Sequence, residues 1–317
     1  MNFQNLEYFV AVVKADNITH AADAMHISQQ ALSGSISRLE KELGCTLFER
    51  HPQFCLTYSG KCFYKMALDM LDLKSQSETI LADINGSERT ELKVGISITR
   101  GQTLLPHVLP EFYSLHPHSE VTVMSGATNE IEEALKSGDV DAAIGFMPMM
   151  VENAEVTPLI RERLFLILPK SLLRDRLGEK AESILKKYEK ERDISLFSDF
   201  PFILLKEDER IRASVDHAFA SKNLRANVRL ETDSIQTSFS LSAEGLGLAV
   251  CPDTYLKSEY TIPGLAMASG REDIYVLPFF RDDIFDTIGI GYNRDRYLSN
   301  TARDFIDICI RRAGELA

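Results

Sequence analysis

Two sets of residues have the types and spacing to do chemistry, and in both that chemistry is hydrogen bonding rather than bond making. Gln29, Gln30, Ser33 and Ser37 recur at the spacing of one helix face, with Gly34 among them and no acid to repel a phosphate backbone. A glutamine amide can pair bidentately with adenine in a major groove, and a serine hydroxyl can bond several bases. Arg38 and Arg50 stand nearby in sequence, where a guanidinium would hold a phosphate. The chemistry read from this set is recognition of double-stranded DNA. The alternative is a face of merely exposed polar side chains.

The second set is Ser97, Thr99, Arg100 and Thr128. These follow strand-like segments, at the carboxyl ends where α/β sheets bind ligands. They also precede helices whose N-terminal amides can receive an anion. Lys206 adds a cation across the expected cleft, and Phe146 adds an apolar wall or a core residue. Hydroxyls, helix N-termini, Arg100 and Lys206 together favour a small organic acid as the bound molecule. The run Glu207-Asp208-Glu209 would suit a cation, but reads more simply as a solvated loop. Helix capping accounts equally well for the Ser and Thr positions.

Bond-making chemistry has no signature here: there is no HExxH, no GxSxG and no Walker loop. Gly245-Leu246-Gly247-Leu248 lacks the lysine and the full glycine pattern of a phosphate loop. His107, His116 and His118 cluster, yet His116-Pro117-His118 reads as an exposed loop leaving a helix. The five cysteines, Cys45, Cys55, Cys62, Cys251 and Cys309, form no CxxC pair, so neither a disulfide framework nor a zinc site is indicated. A protein that is not an enzyme, without metal or cofactor, is expected. Cys251, before Pro252, keeps open a thiol-redox-sensing regulator. A small-molecule-binding module without transcriptional output is the other alternative.

The first set needs a rigid helix to position it. Ser28 is a good N-cap, Leu32, Ile36, Leu39 and Leu43 mark a buried face, and Gly44 suits a left-handed C-terminus. Thr19 can cap a preceding short helix, whose Ala21, Ala22 and Ala24 allow close crossing, and His26-Ile27 make the turn. This is the pattern of a helix-turn-helix. Leu6, Phe9, Val10 and Val13 mark an earlier helix beneath it. Residues 45–50 and 54–57 are strand-like about a turn at 51–53, which makes a wing carrying Arg50. From Ser59 onward, Phe63, Met66, Met70, Leu73, Ser77, Ile80 and Ile84 form a heptad seam about 39 Å long. The seam is narrow and flanked by charge, so a partner helix from a second chain suits it better than its own C-terminal part.

The second set needs α/β architecture. Strands at 92–98, 121–124 and 142–146 alternate with helices at 104–116 and 128–136. The alternation resumes at 164–168, 202–205, 211–222, 228–232, 235–243 and 248–250. The last elements, 274–278, 288–292 and 299–312, are expected back on the first sheet, leaving a cleft between two lobes. A charged stretch at 172–197 reads as a solvated helical insertion.

Composition bounds these readings. A chain of 317 residues calls for two or three domains, and 44% hydrophobic with 26% charged residues is a soluble globular composition. A net charge of −12 excludes a protein that coats nucleic acid over its whole surface. Within residues 1–60, Lys14, Arg38, Lys41 and Arg50 face Glu7, Asp16, Asp23, Glu40, Glu42 and Glu49. One copy should therefore hold DNA weakly and need a second. No bilayer-spanning stretch or apolar signal core is present, and a cytoplasmic location is expected.

Together these residues resemble the LysR-type transcriptional regulators over essentially the whole chain. The most specific part is Ala21-Ala22, Ser28-Gln29-Gln30-Ala31-Leu32-Ser33, Ile36, Leu39-Glu40, Leu43-Gly44, Leu47-Phe48-Glu49-Arg50 and Leu56-Thr57-x-x-Gly60. The resemblance implies an all-α winged helix-turn-helix domain over residues 1–58 and a linker and dimerisation helix over 59–88. It further implies an α/β two-lobed, type 2 periplasmic-binding-protein-like effector domain over 90–317. Lobe I would span about 90–162 and 266–317, and lobe II 163–265. The implied function is a bacterial regulator that controls promoters in response to a small molecule bound between the lobes. The implied partners are promoter DNA, the effector, further copies in dimers and tetramers, and RNA polymerase, with no membrane. Thr99, Thr128 and the segment beginning at Lys206 align with effector-contacting positions. This chain departs from the family at Gln30, often proline, at Gly34, often basic, and in a wing with fewer arginines.

Overall fold

The structure, a computed structural model, describes residues 2–49, 54–86, 90–257, 273–280 and 284–316. The chain divides into two compact units, Met1–Ser87 and Glu88–Ala317.

The first unit comprises α1 (Phe3–Ala15), α2 (Ile18–Ala24), α3 (Gln29–Leu43), strands β1 (Phe48–Glu49) and β2 (Cys55–Leu56), and the long α4 (Tyr58–Ile84). Each helix starts on a side-chain cap. Asn2 accepts from the Asn5 amide at 2.9 Å, Asn17 from Thr19 at 2.7 Å, Ser28 from Ala31 at 3.2 Å and Thr57 from Gly60 at 2.9 Å. The cap of α2 is therefore Asn17 and not Thr19, because the extended Asn17 backbone lets its short amide reach the free N–H groups. Gly44 ends α3 with φ of 69°, a conformation that costs a residue with a Cβ.

Leu6, Phe9, Val12, Ala21, Leu32, Ile36, Leu39, Leu47 and Phe48 make the core of this unit, with Phe63 and Ala67 of α4. The Phe9 ring centroid lies 5.4 Å from Phe48 and 5.2 Å from Phe63. A Cβ on Gly60 would collide with the Leu47 carbonyl oxygen, so the Thr57-x-x-Gly60 spacing lets α4 start directly beneath the wing. The seam is corrected at this point. Phe63, expected to face a second chain, is only 8% exposed within its own unit, and Met70 packs half-buried against the same core. A heptad count says that a side chain needs a hole, but not which chain provides it. Met66, Leu73 and Ile84 remain exposed, and Ile80 is half-buried.

The second unit opens with β3 (Glu91–Ile96), α5 (Ile98–Leu115), β4 (Glu120–Met124), α6 (Thr128–Ser137), β5 (Ala142–Phe146) and β6 (Ala154–Glu162). It crosses to β7 (Leu164–Pro169), α7 (Lys170–Leu177), α8 (Ala181–Glu191), β8 (Pro201–Leu205), α9 (Arg210–Ala220), β9 (Asn227–Thr232), α10 (Ile235–Ala243), β10 (Ala249–Pro252), α11 (Asp253–Lys257) and β11 (Ile274–Pro278). It returns through β12 (Asp286–Asn293) and α12 (Asn300–Leu316). The first lobe holds the sheet β4-β3-β5-β12-β6, with β3 parallel to β4 and β5, and β12 antiparallel to β5 and β6. The second lobe holds β10-β7-β11, antiparallel, and the parallel pair β8-β9, joined by a bridge from Phe202 to Leu248.

Four expectations change. Residues 274–278 do not return to the first sheet: β11 pairs with β7 of the second lobe, Val276 opposite Ile167, so the return crossing follows Pro278. A short apolar strand satisfies either sheet equally well, and only its partner decides. Helix α5 begins at Ile98, a turn and a half early, which places Thr99 and Arg100 on its first turn rather than in a loop. The charged insertion is anchored rather than wholly solvated. Tyr188 of α8 is fully buried and donates its hydroxyl to the Pro278 carbonyl at 3.1 Å. His116 is likewise half-buried, 2.8 Å from Asp304.

Candidate functional site

On α3 the capped, one-faced geometry leaves Gln29, Gln30, Gly34, Ser37 and Arg38 exposed, and Ser33 half-buried, opposite the buried Leu32, Ile36 and Leu39. The two glutamines occupy the first turn, where a groove-docked helix reaches base edges. Arg38 folds back along its own helix, donating to the Gly34 carbonyl at 3.4 Å and to the Ser35 hydroxyl at 3.2 Å. It must turn outward to meet a phosphate. Arg50 lies outside the described residues. A Cβ added at Gly34 would meet nothing within 4 Å, so the fold itself does not require a glycine there.

Glu40, counted as an acid in the sequence, has a structural task. Its carboxylate accepts from the Leu47 and Phe48 amides at 2.8 and 3.2 Å, tying the wing to the recognition helix.

In the second unit a cavity of about 400 Å³ opens between the lobes. Ser97, Thr99, Arg100, Thr128 and Phe146 all line it. Lys206 does not: its exposed ammonium pairs with Asp233 at 3.2 Å. The second lobe contributes Glu209, Asp233, Ser234 and Gln236 instead. These sit after β8 and β9, at helix starts, where the strand-end rule already applied to the first lobe would have found them.

Arg100 is not a free cation. Its guanidinium contacts Glu162 at 2.7 Å, donates to Ser97 at 3.3 Å and lies 4.1 Å over the Phe146 ring. Glu162, 2% exposed, also accepts from Thr254 at 2.6 Å. It thereby joins the end of the first lobe to the start of α11 in the second. Phe146 is both core and wall, buried in the first-lobe cluster and stacked on its other contacts by Arg210 at 4.5 Å. The two cations that argued for an organic acid, Arg100 and Lys206, are therefore both neutralised.

The helix ends tell a different story. Neither Ser97 nor Ala127 makes a side-chain cap for α5 or α6; Glu130 takes only the Ala127 amide, at 2.9 Å. Burial, and then the neighbouring Asp208 charge, push the Glu209 carboxyl above its ordinary value. The hydrogen bond and charge of Lys206 hold Asp233 below its own.

Cys251 is fully buried in β10, and burial pushes its thiol up. Cys309, buried as well, belongs to the first-lobe core. Cys45, Cys55 and Cys62 are exposed in the first unit. Among the described residues no cluster of His, Cys, Asp and Glu is arranged to hold a metal ion, and no helix is long and apolar enough to cross a membrane.

Two family models match. One described as a bacterial regulatory helix-turn-helix protein of the lysR family covers residues 3–61, and one described as the LysR substrate binding domain covers residues 85–314. A relative from Bacillus subtilis (strain 168), the uncharacterized HTH-type transcriptional regulator YcgK, is 29% identical, covering 97% of this chain and 94% of its own. Among solved structures, a full-length OxyR variant from Pseudomonas aeruginosa is similar at a TM-score of 0.64 and 25% identity, covering 98% of each chain. Full-length CbnR in complex with its target DNA shares the fold at a TM-score of 0.62 and 21% identity, covering 99% of this chain and 100% of its own.

Proposed function

The chain belongs to the LysR family of transcriptional regulators, and from that premise we propose that it reads promoter DNA with the exposed face of α3 and alters that binding when a small polar molecule enters the interlobe cavity. Gln29 and Gln30 meet base edges from the first helical turn, with Ser33 and Ser37 one and two turns further on. Arg38 and Arg50 hold phosphates. CbnR, which shares the fold, has been solved in complex with its target DNA.

A second copy supplies the affinity that one acidic module lacks. The stripe of Met66, Leu73 and Ile84, with half-buried Met70 and Ile80, is the surface on which two α4 helices would pair, and pairs of dimers would make a tetramer. Work on promoters places the protein in the cytoplasm.

The observation that carries this reading is α3 itself: a helix capped at both ends, buried on one face, and bearing on the other exposed amides and small residues with no acid before Glu40. Gln29→Ala tests it. The variant should keep the stability of the parent and lose base preference at one position of the selected operator; an unchanged binding-site selection profile would sink the assignment.

The redox alternative gains nothing from the geometry. Cys251 is sealed in the second-lobe core, and Cys309 sits in the core of the other lobe.

A further inference from the structure

The two walls of the interlobe cavity present different polar groups. On the first-lobe wall, α5 and α6 begin without a side-chain acceptor for their first-turn amides. The α5 end carries roughly half a positive charge, which on α6 is opposed by the Glu130 carboxylate of its own first turn. Thr99 and Thr128 line the cavity there and add hydroxyls, while Arg100 is already spent on Glu162. The attraction for an anion on this wall therefore comes from amides and hydroxyls, with no unpaired cation.

The second-lobe wall adds carboxylates to its own helix starts, Glu209 being the N-cap residue of α9. Glu209 lines the cavity half-buried, and among the described residues its carboxylate makes no hydrogen bond or ion pair. Asp233 lines the same wall, with Lys206 as its exposed partner. Burial and the Asp208 charge disfavour the ionised Glu209 carboxyl, and a bound cation would favour it. A simple organic acid would satisfy one wall and be repelled by the other.

Building on the effector reading above, we propose that the cavity takes a zwitterionic amino-carboxylate, an amino acid or close relative, with its carboxylate at the N-terminus of α5 beside the Thr99 and Thr128 hydroxyls and its ammonium at Glu209. Ile211 and Ile235 add apolar lining, whereas the Phe146 ring is covered by the Arg100 and Arg210 guanidiniums. The two ends of one small molecule then touch both lobes, so binding favours the lobe arrangement in which both contacts are made.

The test uses the full-length protein and three probe sets in thermal-shift and calorimetric titrations. These are the standard α-amino acids, their N-acetyl derivatives, which keep only the carboxylate, and their amides, which keep only the ammonium. At least one free amino acid should raise Tm, and its two blocked forms should bind about tenfold more weakly or worse. Glu209→Gln should lower affinity for that amino acid about tenfold, while raising the Tm of the ligand-free protein and leaving promoter retardation intact. N-acetyl forms that bind as well as the free amino acid, or affinity unchanged in Glu209→Gln, overturn the zwitterion and leave a small-molecule effector standing. Failure of all three sets to bind, with specific promoter retardation intact, overturns the zwitterion.

Discussion

The exposed face of α3 and the interlobe cavity both present polar side chains, but they hold them in different ways. On α3 a single helix does the positioning: Ser28 at one end, Gly44 at the other and three buried apolar residues beneath. The outward side chains contribute almost nothing to the fold. In the cavity the polar groups hold one another. Arg100 is fixed by Glu162, which is fixed in turn by Thr254, and the sequence separations are 62 and 92 residues. The DNA face can therefore vary without loss of fold, whereas the cleft ties specificity to stability.

Substitutions can break or sharpen that contrast. The largest effect is expected beneath the DNA face. Phe63→Ala opens a cavity in the first-unit core and should destabilise that unit by about 3–5 kcal/mol in urea unfolding. A stable monomeric unit with lost dimerisation would instead return Phe63 to the intersubunit seam. Next is Glu162→Ala, which strands a guanidinium that is only 12% exposed; a loss of about 3 kcal/mol confined to the second unit is expected. A loss under 1 kcal/mol, on the order of a surface pair, would show that the cleft is not self-supporting.

Smaller effects separate α3 itself. Ser28→Ala removes one cap bond and should cost about 1 kcal/mol, measured by thermal unfolding of the first unit. Gly34→Ala has the opposite sign. With open space around the new methyl, the helix should gain about 0.5–1 kcal/mol, while promoter affinity falls if a DNA surface approaches the notch closely. A gain in stability with unchanged retardation would place Gly34 away from the DNA.

Legibility in the sequence followed the range of the interactions. Ser28, Gly44 and the Leu32, Ile36, Leu39 spacing were readable because a helix registers its caps and its buried face within a few residues. Thr19 and Asn17 are both competent caps, and only the backbone turn selects Asn17. Phe63 looked like the rest of its seam, since a heptad pattern carries no label for the chain that fills it. In the cleft, Ser97, Thr99, Arg100 and Thr128 were found by the strand-end rule, and all line the cavity. Charge and the resemblance both point to Lys206, at the head of the aligned segment, yet it is Glu209, three residues further along, whose side chain lines the wall.

What the sequence by itself determined is the pair of modules: a capped, one-faced helix in a winged unit, and alternating strands and helices with hydroxyls at strand ends. Local period, capping and composition suffice for those. Only the tertiary structure decided that β11 joins the second lobe, that α4 spends Phe63 on its own unit, and that Arg100 is neutralised by Glu162 while Glu209 is left facing the cavity. Each of these is a choice of partner between residues far apart in the chain, and partner choice is settled by packing and desolvation after the local elements have formed.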